Sequence, residues 1–172
     1  VTDFSYLGKG DGDWIDYAIE VGGGAHLNLN AAEISNCRGV ASSDGSTSAG
    51  ILVTTYYGTG STANIANTDF KNNTLGLHVG YDSTDTSTVT IHSSDFGGND
   101  SGLYTTQPFV DAKSNWWGEN DNSGPYDEWV DGSTPITNLA GNGSSVRGMV
   151  DYSSWIEADK VVPNTTSPRM FV

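Results

Sequence analysis

The sequence predicts an all-β domain whose short strands stack as a parallel β-solenoid of about four to five coils. One observation is a phrase that recurs with variation: two apolar residues around one polar residue, a large apolar residue five positions further on, and later a glycine followed by an aliphatic residue. It occurs in Leu27–Ile34 with Gly50-Ile51, in Ala63–Phe70 with Gly76-Leu77, and in Val89–Phe96 with Gly102-Leu103. Such self-similarity indicates stacked repeats. The other observation is composition: 22 glycines and abundant Ser, Thr, Asn and Asp supply turn chemistry, and long helical patterns are absent.

Each repeat is expected to supply three short strands. In Val89–His92 the apolar side chains point inward and the polar ones outward, because side chains alternate across a strand. The Asp-Phe pair that follows begins a second strand, and the Gly-Leu pair begins a third. The large apolar position sets the register and is occupied by Phe4, Ile34, Phe70, Phe96 and Trp116. This register places coils near residues 1–26, 27–62, 63–88 and 89–109, with surplus residues in loops at 8–16, 41–48, 56–61 and 81–87.

Two polar positions of the repeat are expected to stack from coil to coil. Asparagine follows the large apolar residue, at Asn36, Asn72 or Asn73, and Asn99. Stacked amides form hydrogen-bonded ladders in tight turns, so these residues are interpreted as structural. An acid precedes the large apolar residue, at Glu33, Asp69 and Asp95. Like charges at the strand spacing of about 4.8 Å would raise the pKa of the column or attract a cation.

The repeat pattern is interrupted after residue 109. Residues 110–118 begin like another coil, but the turn cluster at 119–125 contains glycine and proline that a strand would not cross. Residues 146–156 have the apolar content to cover the end of a solenoid, which otherwise exposes core and strand edges. We therefore expect a C-terminal cap over 110–156, with Trp116 and Trp155 in its core, and a tail or linker over 157–172.

Charge and cysteine content narrow the classes of partner. Seven basic and 21 acidic residues give a net charge of −14, which excludes nucleic acid as a partner and suits Ca²⁺ or the solubility of an extracellular protein. No apolar run approaches the length of a membrane span. Cys37 is the single cysteine, so an intrachain disulfide cannot form, and a small buried residue is the expected role.

The recurring phrase and the C-terminal segment of the chain resemble those of a known family. The recurring Asp-Phe with its asparagine turns and Gly-Leu resembles the repeats of the pectate-lyase-like superfamily of right-handed parallel β-helices. The segments Asn115–Gly118, Gly124-Pro125 and Val150–Trp155 resemble the closing segment of secreted bacterial and archaeal β-helix proteins. The resemblance implies a right-handed parallel β-helix with an irregular C-terminal cap. It implies no single activity, because the same fold serves lyases, hydrolases, epimerases, adhesins and surface-layer proteins.

Ligand-binding candidates are aromatic and acidic residues in the loops. Tyr56, Tyr57, Trp14 and Trp129 either stack on sugar rings or pack on neighbouring loops. Alternating acids around a glycine could wrap Ca²⁺ with oxygens, and the best such cluster is Asp11, Asp13 and Asp16.

Catalytic candidates are fewer. A polyuronate lyase needs a base for the proton beside the carboxylate and a cation that neutralises the carboxylate. The resemblance implies Arg or Lys as the base, and Arg38, Lys71 and Lys113 could line one outward face, although scattered surface cations are ordinary. His78 and His92 flank apolar strand residues and are expected to face solvent, and His26 shows no acid–base spacing with either.

The function that these observations favour is a non-catalytic extracellular module with a structural, adhesive or glycan-binding role. We expect it to belong to a larger secreted or cell-surface protein. Polysaccharide and neighbouring copies of the same protein are the expected partners, the latter through exposed coil edges. The alternative is the C-terminal portion of a polysaccharide lyase, epimerase or glycoside hydrolase.

Overall fold

The computed structural model describes residues 2–10, 15–39, 47–106, 108–128 and 138–157. Within these ranges the chain is all-β and contains no helix, and hence none that is long and apolar enough to cross a bilayer. The strands are β1 (Thr2–Leu7), β2 (Tyr17–Val21), β3 (His26–Ser35), β4 (Ala49–Val53), β5 (Thr62–Lys71), β6 (Leu75–Val79), β7 (Thr88–His92), β8 (Ser101–Thr105), β9 (Val110–Asp111), β10 (Pro125–Asp127), β11 (Gly143–Arg147) and β12 (Val150–Asp151).

The strands form two six-stranded sheets in which every pairing is parallel. Sheet A has the order β1-β3-β5-β7-β9-β12, and sheet B has the order β10-β11-β8-β6-β4-β2. From β1 to β9 successive strands alternate between the sheets, so each strand pairs with the strand two places further along the chain. Equivalent residues of successive repeats therefore lie side by side on adjacent strands of a sheet, and their side chains point to the same side.

Three strands per repeat are expected, but in the longer repeats the first two of them form one continuous strand, which leaves two. β3 and β5 are each ten residues long and pass through a residue with positive φ, Ala31 at 59° and Asn67 at 51°. Leu29 and Ile34 are both buried although an odd number of positions separates them. An uninterrupted strand would put them on opposite faces, because its side-chain period is two. The positive-φ residue adds the odd position and returns both side chains to the core.

Stacked rings form the centre of the core between the two sheets. Phe96 lies between Phe70, whose ring centroid is 5.0 Å away, and Trp117, at 4.7 Å, with interplanar angles of 3° and 10°. Glycines of sheet B pack directly against these rings. A Cβ on Gly76 would lie 2.9 Å from a ring carbon of Phe96, and a Cβ on Gly102 would lie 3.0 Å from the Trp117 ring. The close approach of the sheets explains why glycine recurs at this position of the repeat.

The expected register is correct in the middle of the chain and wrong at both ends. Ile34 aligns with Phe70, as predicted. In the first coil, however, Tyr6 and not Phe4 is the register partner of Ile34. In the last repeat, a parallel β-bridge pairs Trp116 with Asp95, so Trp117 and not Trp116 continues the ring stack.

The asparagine positions form ladders, as expected. The Asn72 amide donates to Asn36 Oδ1 at 2.9 Å, and both residues have positive φ. One step inward, Asn73 Nδ2 donates to Asn99 Oδ1 at 2.9 Å, and Asn99 Nδ2 donates to the carbonyl of Phe70. These amides satisfy backbone groups at the turns and are structural.

Residues beyond 109 extend both sheets. β9 and β12 add to sheet A, and β11 and β10 add to sheet B, where β11 lies between β8 and β10 although it follows β10 in the chain. Tyr152 is buried, and its hydroxyl donates to Asp127 at 3.0 Å. The predicted tail over 157–172 lies outside the described residues from position 158 onward.

Candidate functional site

One row of outward-facing side chains crosses sheet B from strand to strand. It consists of the register partners Glu20, Leu52, His78, Tyr104 and Arg147, which we call the outer column. Their neighbours along each strand point into the core, so alternation turns the outer column away from it. Four strand spacings give a row of about 19 Å, which is long enough to hold several sugar-sized rings.

Three exposed tyrosines rise beside this row. Tyr56 and Tyr57 lie in the loop from β4 to β5, and Tyr81 lies in the loop from β6 to β7. Their exposed fractions are 64%, 67% and 43%. The Tyr56 ring meets Tyr57 at 4.9 Å and Tyr81 at 5.1 Å between centroids, both edge to face. The three rings therefore form one aromatic ridge rather than separate surface residues.

The ridge and the outer column enclose a cleft of about 610 Å³, which we call the tyrosine cleft. Its described lining contains all three tyrosines of the ridge and the first four residues of the outer column. The remaining described lining residues are Ile15, Tyr17, Thr54, Gly80 and Thr106. The cleft is open and combines aromatic rings with hydroxyl groups, so it offers both the apolar surface and the hydrogen-bonding groups that ligand pockets use.

A buried carboxylate joins the two loops that carry the tyrosines. Asp85 Oδ2, in the second loop, accepts hydrogen bonds from Thr54 Oγ1 at 3.0 Å and from the Thr55 amide at 2.8 Å, both in the first loop. Asp85 Oδ1 accepts a hydrogen bond from the Ser87 amide. Burial would raise the pKa of Asp85, but these hydrogen bonds outweigh it and hold the pKa below its usual value. Asp85 thus fixes the spacing of the ridge.

The centre of the cleft floor is a stack of side chains. The His78 ring lies 5.0 Å from the Tyr104 ring at an interplanar angle of 14°, and the Arg147 guanidinium lies 5.1 Å from the centroid of the Tyr104 ring. His78 is only 9% exposed, so the expectation that it faces solvent is wrong. It points outward as alternation predicts, but neighbouring groups cover it.

The buried histidine is uncharged at neutral pH. Neither ring nitrogen of His78 has a hydrogen-bond partner among the described residues. Burial lowers the pKa of His78 to about 4, although the nearby charge of Asp85 acts in the opposite direction. An imidazolium would be far more costly at this position than the neutral ring.

The site residues expected from sequence fall into three groups. Tyr56 and Tyr57 line the cleft, whereas Trp14, Trp129, Asp11 and Asp13 lie outside the described residues. Asp16 is buried and accepts hydrogen bonds from the Tyr6 hydroxyl at 2.8 Å and the Lys9 amide at 2.6 Å. The hydrogen bond to Asp16 is the main reason that the pKa of Tyr6 rises to about 12. Asp16 therefore has a structural role near the edge of sheet A.

In the described parts of the chain, no three His, Cys, Asp or Glu side chains converge as a metal site. The acid column does stack as expected, since Glu33 pairs in register with Asp69 and Asp69 with Asp95. Lys71 Nζ lies 3.0 Å from Asp69 and 3.3 Å from Glu33, so a protein cation already occupies part of this column.

The cations considered as lyase bases are engaged in ion pairs. Arg38 makes two hydrogen bonds to Asp100, at 2.8 and 3.1 Å, in the forked geometry typical of arginine and carboxylate. Lys113 Nζ lies 3.0 Å from Asp151 and 3.5 Å from Asp111. With Lys71 held by two carboxylates, each of the three cations is engaged by acidic side chains of the protein itself.

Sequence reasoning considered His78 only as a weak catalytic candidate and missed Tyr81 and Tyr104. A usable signal was present for His78 and Tyr104, because each follows the Gly-Leu pair of the repeat by one position. Alternation puts that position outward in register with Leu52. Tyr81 had no such signal, since its approach to Tyr56 depends on how two loops fold.

No family model, curated protein or solved structure matches this chain. The chemistry of the tyrosine cleft is therefore the observation that bears on function.

Proposed function

We propose that this chain is a glycan-binding module of a secreted or cell-surface protein, built as a right-handed parallel β-helix of about four to five coils and similar to the pectate-lyase-like superfamily. The solenoid is supported by strands that alternate between two parallel sheets over one shared core. The hand of the helix comes from the resemblance of the repeats and from the general preference for right-handed crossovers.

The observation that carries the glycan-binding role is the aromatic ridge beside the outer column. Aromatic faces pack against the apolar faces of sugar rings, and phenol hydroxyls at their edges reach sugar hydroxyls. Tyr56 and Tyr57 keep about two thirds of their area exposed and adjoin Tyr81, and contiguous exposed apolar surface marks interaction sites. The long, open floor suits a chain-like ligand more than a compact one.

A binding role is favoured over catalysis by the charges near the cleft. Glycoside hydrolysis needs two opposed carboxyl groups, and Glu20 is the one carboxylate in the described lining. Elimination from a polyuronate needs an uncharged base that can take up a proton, whereas the candidates Arg38, Lys71 and Lys113 all pair with carboxylates, which favour their protonated forms.

The test is retention of the protein on immobilised glycans, compared with two tyrosine variants. Tyr57→Ala is expected to weaken binding about tenfold, the loss typical of an aromatic anchor. Tyr126→Ala is the control, because Tyr126 is also an exposed tyrosine of sheet B but does not line the tyrosine cleft. Equal losses in both variants would contradict the proposed site.

The catalytic alternative is tested on the same glycans. The protein is incubated with pectate, alginate and neutral polysaccharides, and reducing ends and ultraviolet absorbance are followed. Release of products above the level of the Tyr57→Ala variant would replace the binding role with an enzymatic one.

A further inference from the structure

We propose that the tyrosine cleft prefers uncharged glycans and that Glu20 is the residue that disfavours glycans carrying carboxylates. This inference rests on the proposed glycan-binding function and names the class of ligand. The distribution of charge along the outer column supports it, whereas the aromatic ridge supports glycan binding itself.

The first observation is the position of Glu20. It lies on β2, next to Leu52 at one end of the outer column, and it is exposed. Its carboxylate accepts hydrogen bonds only, so it can bind sugar hydroxyls, which are donors, but repels another carboxylate. A bound uronate would place like charges in one cleft.

The second observation is that the middle of the floor carries no compensating cation. His78 is neutral, since burial holds its pKa near 4, and the described lining includes neither lysine nor arginine. Asp85 lies behind the ridge and adds a second negative charge close to His78. The chain as a whole carries a net charge of −14, which acts in the same direction.

One cation belongs to the outer column, and it defines the competing possibility. Arg147 lies at the end opposite Glu20, over the Tyr104 ring. If it were the ligand-recognising group, an acidic glycan would bind at that end of the column. A dominant Glu20 would therefore weaken the binding of an acidic glycan, whereas a dominant Arg147 would strengthen it.

The experiment compares each acidic oligosaccharide with its carboxyl-reduced form, which keeps the linkage but loses the charge. Hexagalacturonate and hexamannuronate are paired with their reduced products, and xylohexaose and cellohexaose are added as neutral probes. Affinities are measured by calorimetry for the unaltered protein and for Glu20→Gln, Glu20→Lys and Arg147→Ala. Unfolding midpoints confirm that each variant is folded.

The expected result is that each uncharged probe binds more tightly than its acidic counterpart. Glu20→Gln should improve the affinity for an acidic probe about two- to fivefold, the range typical of exposed charge pairs, and Glu20→Lys should improve it further. The improvement should shrink as salt is raised, because exposed charges are screened. A merely structural role for Glu20 would lower the affinity for every probe alike.

Two outcomes overturn the inference in distinguishable ways. If an acidic probe binds as tightly as its reduced form, or if Arg147→Ala abolishes binding of an acidic probe, the selectivity is wrong while glycan binding stands. If no probe binds at any concentration, the proposed function fails and the inference fails with it.

Discussion

Replacing Phe96 with alanine tests whether the ring stack holds the two sheets together. Phe96 is fully buried, and its ring contacts Phe70 on one side and Trp117 on the other. Truncation of a buried phenylalanine costs about 3–5 kcal/mol of unfolding free energy, through lost burial and the cavity left behind. For a domain of this size each kcal/mol lowers the melting temperature by about 2–4 °C, which gives a fall of roughly 6–20 °C.

The matched control is Phe109→Ala. Phe109 is about half exposed, so the same substitution there is expected to change stability by less than about 0.5 kcal/mol. Urea unfolding followed by tryptophan fluorescence and by circular dichroism measures both variants. A loss in Phe96→Ala no greater than in Phe109→Ala would refute the interpretation of the ring stack as the centre of the core.

Three further predictions concern polar groups. Lys71→Met removes the cation beside buried Asp69 and should cost about 1–3 kcal/mol of unfolding free energy. Urea titrations should show a smaller loss for Lys113→Met, because the side chain of its partner Asp151 is 15% exposed whereas that of Asp69 is 2% exposed. Asp85→Ala removes the acceptor that joins the two tyrosine loops, so calorimetry should show weaker glycan binding even where the variant remains folded. The pKa of His78 falls from 6.5 to about 4 on folding, so its neutral form contributes stability above pH 6.5 that is lost as the pH falls toward 4. His78→Phe should reduce that loss, as measured by urea midpoints at pH 7 and about pH 4.5; an equal loss in both proteins would contradict the burial of a neutral ring.

The repeat could be predicted where its phrase is complete. The register of Ile34 with Phe70, the asparagine ladders and the stacked acids follow from aligned positions in successive coils. At the ends the phrase is incomplete. Phe4 and Tyr6 are one strand period apart and suit the same face equally, so periodicity cannot choose between them.

The adjacent tryptophans show a second limit of sequence reasoning. Trp116 and Trp117 are both buried, and the acid that precedes the large apolar residue in the other repeats is missing there. Trp116 takes the position of Asp95, which leaves Trp117 to stack on Phe96. One shifted residue changes which side chain is central to the core.

The tyrosine cleft was only half predictable. Tyr56 and Tyr57 can be predicted as ligand-binding residues because they are paired aromatic residues in a loop. The contact between the Tyr56 and Tyr81 rings cannot, because it depends on the hydrogen bonds by which Asp85 joins two loops. The burial of His78 likewise depends on what covers the outer face of sheet B. Tertiary contacts of this kind leave no periodic signal in one sequence.

The central claim is that the tyrosine cleft binds a glycan, and the most direct measurement is amide chemical-shift mapping on the nitrogen-15-labelled chain. Xylohexaose, cellohexaose and mannohexaose are titrated in turn. The expected result is a saturable set of shifts for at least one sugar, centred on Tyr56, Tyr57 and Tyr81, with a midpoint that Tyr57→Ala moves to about tenfold higher sugar concentration. Saturable shifts centred elsewhere, for example on Tyr126, or the absence of saturable shifts with all three sugars, would contradict the claim.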